Sequence, residues 1–93
     1  MGHLGDLQRQ VGDLDAAQAN HQRALNILEA VYGPHHPEVA IVLGRLGTVQ
    51  HERGEFDAAQ ANLQRALDIM QAVHGPNHPQ TVSARSRLDE LAG

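Results

Sequence analysis

The chain has no cysteine, no lysine and no tryptophan, and Tyr32 and Phe56 are its only large aromatic residues. Without cysteine there are no disulfides and no thiol nucleophile, and the redox compartment stays open. No apolar stretch approaches the roughly 18–20 residues of a membrane span. No secretory charged and apolar regions open the chain, so the expectation is a cytoplasmic protein with no membrane partner. All seven basic residues are arginines, outnumbered by 11 acidic ones for a formal charge of −4. They form no basic run, which argues against nucleic acid, since that binding needs clustered cations to neutralise phosphates. A chain of 93 residues buries only about 60–65% of its unfolded surface. With alanine abundant and aromatics scarce, its core is thin and made of closely approaching helices.

Catalytic groupings are equally scarce. The only serines, Ser83 and Ser86, sit in no Gly-x-Ser-x-Gly elbow. Gly2, Gly5 and Gly12 are scattered rather than gathered into a phosphate cradle. His51-Glu52 lacks the second histidine of a zinc-protease helix. Glu55 and Asp57 form a pair of carboxylates explained by a solvated helix start. Neither an enzyme nor a cofactor is expected. Seven histidines raise a metal hypothesis around His35, His36, His74 and His78. The alternative is that His36 and His78 recur because their loop recurs, each capping the helix that follows it. Ligand sets on successive turns stand apart rather than converge, which favours the loop reading.

What the chain does have is a repeat of 42 residues. Gly12 to Pro37 reads GDLDAAQANHQRALNILEAVYGPHHP and Gly54 to Pro79 reads GEFDAAQANLQRALDIMQAVHGPNHP, identical at 18 of 26 positions. A unit of this length cannot bury its apolar face alone, so copies stack into a solenoid. Apolar residues recur at helical spacing: Leu14, Ala17, His21, Ala24, Leu28 and Val31, then Phe56, Ala59, Leu63, Ala66, Met70 and Val73. A third face carries Val39, Val42, Leu43, Leu46 and Val49.

Gly33 and Gly75 suit the left-handed C′ position, with Pro34 and Pro76 stopping continuation. Pro37 and Pro79 suit the first turn of the next helix. Asp13 or Asp15, and Glu55 or Asp57, place acidic groups where they satisfy free N–H groups at a helix start. The spacing predicts an all-α solenoid domain of about five antiparallel helices, roughly 2–11, 14–32, 37–53, 56–74 and 79–92, with no strands.

Leu46-Gly47, Gly54, Ala59, Leu63 and Ala66 resemble the tetratricopeptide repeat signature. The Gly-Pro-x-His-Pro loop followed by Glu38-Val39-Ala40, with Arg23-Ala24-Leu25-Asn26-Ile27 before it, resembles the 42-residue subclass seen in kinesin light chains. The small residues have an independent physical reason. Gly47 and Ala59, like Gly5 and Ala17, stand where helices cross most closely, and Ala24 and Ala66 serve the next unit. The chain departs from the family at Gln8 and Gln50, and at His21 and Leu63, where aromatics are frequent. Asp89 replaces the glycine of the last helix, as suits a solvent-facing end.

The resemblance implies a protein–protein interaction scaffold that holds a peptide or partner helix in a concave groove. That groove would be lined by Ile41, Gly44, Arg45, Thr48, His51 and Glu52. His3, Asp6, Arg9 and Gln10 would precede them, and Ser83, Ser86, Arg87 and Glu90 would follow. Arg45 and Arg87 stand one repeat apart, placed to clamp acidic groups of an extended peptide; alternatively both are simply solvated. The competing reading is a self-associating structural module. About three units are needed for independent stability, and residues 79–92 carry Val82, Leu88 and Leu91 with no following helix. A homo-oligomer is therefore expected, a dimer rather than a filament.

Overall fold

The computed structural model describes residues 13–92, folded into α1 (Leu14–Tyr32), α2 (Pro37–Glu52), α3 (Phe56–His74) and α4 (Pro79–Ala92). The helix expected at 2–11 lies outside the described residues. Among those described there is no strand, and the expected helix bounds hold within a residue. Arg53 closes α2 rather than extending it, its N–H donating to the carbonyls of Val49 and Gln50. Connections at 33–36, 53–55 and 75–78 are too short to do anything but fold each helix back on the one before it.

The first connection shows how sequence becomes geometry, and the third repeats it. Gly33 and Gly75 close α1 and α3 with φ of 90° and 87°, their N–H groups donating to Glu29 and Gln71 carbonyls. Their ψ values of 164° and 165° depart from the left-handed helical form expected for a C′ glycine. They fall in an extended, positive-φ region essentially closed to other residues. Four residues later, at Pro37 and Pro79, the chain must re-enter a helix beginning with proline, which supplies no N–H. The Nδ1 of His36 accepts from the Glu38 N–H at 3.0 Å, and that of His78 from the Gln80 N–H at 3.1 Å. Each cap is braced by stacking, Tyr32 on His36 and His74 on His78, with ring centroids 4.4 and 4.1 Å apart. Among the described residues no three His, Cys, Asp or Glu side chains gather as metal ligands would. Replacing either His36 or His78 by alanine should cost about 0.5–2 kcal/mol, the usual cost of losing a helix cap. Thermal melts of the two single variants check this.

The acidic helix starts follow expectation in part: Asp15 and Asp57 lie in the first turns of α1 and α3, where the dipole favours them. Asp13 and Glu55 occupy N-cap positions, yet neither side chain caps its helix. Glu55 instead accepts from Gln18 at 3.2 Å and pairs with Arg53 at 3.0 Å. Arg53 also pairs with Asp15. These carboxylates therefore tie the α2–α3 turn to the start of α1, a contact 37 residues apart in sequence that local pattern cannot show.

The core is centred on α2. Val39, Leu43 and Leu46 are wholly buried and join Leu25 of α1 with Ala66, Ile69 and Met70 of α3 in one cluster. The ends of the expected apolar stripes fall outside it: Phe56, Val31 and Val73 are exposed. Leu67 and Ile69 of α3 are buried in their place, as is Leu25 of α1; α3 packs against both α2 and α4 and so needs a wider apolar face than a single stripe. Arg65 of α3 binds Glu29 of α1 at 3.1 Å and the Pro34 carbonyl at 3.3 Å, linking the two equivalent helices. Gln50 is buried and accepts from Asn62 at 2.7 Å.

Candidate binding groove

Helices α2 and α4 start from equivalent loops and lie on the same side of α3. Between them runs an open depression of about 310 Å³. Its floor comes from α3, where Leu63, Ala66 and Met70 are buried. Small side chains make the depression possible. At Gly47 an added Cβ would stand 2.8 Å from Leu63 Cγ and 3.3 Å from the Ala59 carbonyl, so α2 and α3 meet there almost backbone to side chain. Ala59 is wholly buried at the same crossing and Ala66 nearly so.

Of the residues expected to line a groove, Ile41, Gly44, Arg45, Ser83 and Arg87 surround this depression. Thr48, His51 and Glu90 line a smaller one of about 80 Å³ that continues it, with Arg87 common to both. Glu52 and Ser86 are exposed and line neither. Arg9 lies outside the described residues, as do His3, Asp6 and Gln10. Sequence reasoning passed over the floor. Leu63, Ala66 and Met70 were legible as apolar, but nothing local says that an apolar stripe stays partly open between two helices rather than closing.

The polar groups are arranged unevenly. The Arg87 guanidinium lies against Gly44, where a Cβ would come within 2.7 Å of its Nη1. Gly44 thus leaves room for the arginine to cross the depression from α4 toward α2. The Thr48 hydroxyl is turned back onto the Gly44 carbonyl at 2.9 Å, so its donor is already used within the helix. His51 packs edge-on against Phe56, with centroids 5.3 Å apart. Among the described residues Arg45 and Arg87 make no ion pair, whereas Arg53 and Arg65 are both engaged. Two arginines with open donors beside an apolar floor can bind a chain that offers both an apolar side chain and an anionic group.

A family model described as tetratricopeptide repeat matches residues 1–72. None of the curated proteins matches the chain. No helix among the described residues is long and apolar enough to cross a membrane.

Proposed function

The chain belongs to the tetratricopeptide repeat family, whose domains generally serve as non-catalytic protein-interaction modules, and from that premise we propose that it binds an extended peptide segment of a partner protein between α2 and α4. The observation that carries this is the pairing of Arg87, laid across Gly44, with Arg45 on the rim of an apolar floor. Arg45 and Arg87 contact an acidic side chain or terminal carboxylate of the peptide, while Leu63, Ala66 and Met70 take an apolar neighbour. Thr48 and His51 extend the contact along the smaller depression. Glu52, Ser86 and Arg9 complete the set of groove residues in this reading, as rim positions further from the floor. The 42-residue subclass is part of the same reading, supported by the Gly-Pro-x-His-Pro loop with its capping histidine. Self-association is a second reading, favoured by Ile27 and Val31, which stand 57% and 66% exposed on α1.

Selection from a random short-peptide display tests the groove. Acidic residues beside an apolar one should be enriched, and the double variant Arg45→Ala/Arg87→Ala should bind the selected peptides about 10–100-fold more weakly, the range for losing charge-assisted hydrogen bonds. Gly44→Ala separates binding from folding. An alanine inside a helix is favoured over glycine by about 0.5–1 kcal/mol, and the displaced atom is the end of a flexible side chain. The melting temperature should hold or rise while peptide affinity falls. Equal affinities for the parent and the double arginine variant would remove the proposal.

A further inference from the structure

The two walls of the groove are equivalent in the repeat but not alike in charge. Arg45 and Arg87 hold the same repeat position on α2 and α4, and both line the depression. Elsewhere the α4 wall departs from its α2 copy. Gln80 stands where α2 has Glu38, and Ser83 where it has Ile41, so the α4 wall has lost a carboxylate and gained a hydroxyl. Gln80, Ser83 and Arg87 follow one another at helical spacing, which sets them on one face of α4. All three are exposed and line the depression. No carboxylate among the described residues lines it, in a chain with 11 acidic residues against seven arginines. Glu90 stands instead in the smaller depression, with His51. The larger one therefore offers hydrogen-bond donors and positive charge with no acid to balance it.

We propose, building on the groove assignment, that the anion bound between α2 and α4 is the phosphate of a phosphorylated serine or threonine side chain of the partner. A carboxylate brings one negative charge and two oxygens, enough for one guanidinium fork. A phosphate monoester brings a charge of about −1.5 to −2 and three acceptor oxygens. It satisfies Arg45 and Arg87 together and leaves an acceptor for the Ser83 hydroxyl. Gly44 makes room for the Arg87 guanidinium to lie toward α2, so the two cations reach one anion from opposite walls. Gln80, neutral where α2 carries Glu38, removes a repulsion that weighs about twice as heavily on a dianion as on a carboxylate. Leu63, Ala66 and Met70 take the apolar residue beside the phosphorylated one, which favours a peptide over free phosphate. Glu90 repels an anion from the smaller depression and so holds the phosphate in the larger.

Three synthetic peptide pools test this, alike in their short random flanks and differing only in a fixed central phosphoserine, glutamate or serine. Each is titrated against the whole chain by fluorescence anisotropy. The phosphoserine pool should bind about tenfold or more tighter than the glutamate pool, and the serine pool most weakly. Ser83→Ala should weaken the phosphoserine pool about tenfold and the glutamate pool less. Gln80→Glu puts an acid in the first turn of α4, where a helix tolerates it. The melting temperature should hold while the preference for phosphoserine narrows several-fold. Inorganic phosphate should compete about tenfold or more weakly than the phosphoserine pool, since it leaves the apolar floor uncovered. Equal affinity for the phosphoserine and glutamate pools, both lost in Arg45→Ala/Arg87→Ala, overturns the phosphate and leaves the peptide groove standing. No binding of any pool, or binding indifferent to both arginines, overturns both. Inorganic phosphate competing as well as the phosphoserine pool overturns a phosphorylated peptide as the occupant.

Discussion

Ala59→Leu should lose about 1–3 kcal/mol more stability than Ala61→Leu, the range for overpacking a filled contact. Both exchanges add the same atoms to the same helix, so helix propensity cancels and only surroundings differ. Ala59 is wholly buried where α2 crosses α3, with its carbonyl 3.3 Å from the point a Gly47 Cβ would occupy. Ala61 is exposed on the opposite side. The added isobutyl group at 59 has no void to enter and must push α2 away, opening the contact at Gly47 and loosening Leu43 and Leu46 behind it. Ala66→Leu should behave as Ala59→Leu does and also fill the groove floor. Urea unfolding with unchanged slopes measures the gap. Coincident midpoints for Ala59→Leu and Ala61→Leu would mean that the crossing is misplaced.

The pair of loop glycines should have a larger effect still. Gly33→Ala and Gly75→Ala should each cost about 1–3 kcal/mol through backbone strain, and the double variant about 2–6 kcal/mol if the two sites act independently. Nothing lies within 4 Å of a Cβ built at either position, so crowding cannot be the cause. The cost comes from φ near +90° with extended ψ, where a Cβ strikes its own backbone. Against a typical total of about 5–15 kcal/mol, the double variant should be partly unfolded at room temperature. Far-ultraviolet circular dichroism with thermal melts reads this directly. A double variant as stable as the parent would show that these turns relax into another conformation.

The repeat and its punctuation made much of this architecture readable. The 42-residue copy, the glycine–proline pairs and the 3.6-residue spacing are local properties. They set where each helix begins and ends, because caps, proline and positive-φ glycine act on their own few residues. The histidine caps were legible for the same reason: Nδ1 reaches an N–H two residues on. The small residues at Gly47, Ala59 and Ala66 were legible as crossing points, since only close approach explains them in a buried register.

Other features depend on which surfaces meet, and the chain's local pattern is silent on those. Ile27 and Ile69 are the same residue at the same place in the repeat, yet one is 57% exposed and the other 3%. Ile69 lies in the core cluster with Leu25 of α1 and the buried residues of α2. The acidic residues at the helix starts could equally have served as caps, and the fold committed Asp15 and Glu55 to Arg53 instead. The apolar stripe of α3 stays partly open because α2 and α4 stand far enough apart to leave about 310 Å³ between them. The sequence by itself determined the repeat, the helices and the small-residue crossings, through interactions that reach only a few residues along the chain. The tertiary structure alone decided which copy of each residue is covered, where the arginines go and that a groove exists, because burial and ion pairing depend on distances between helices far apart in sequence.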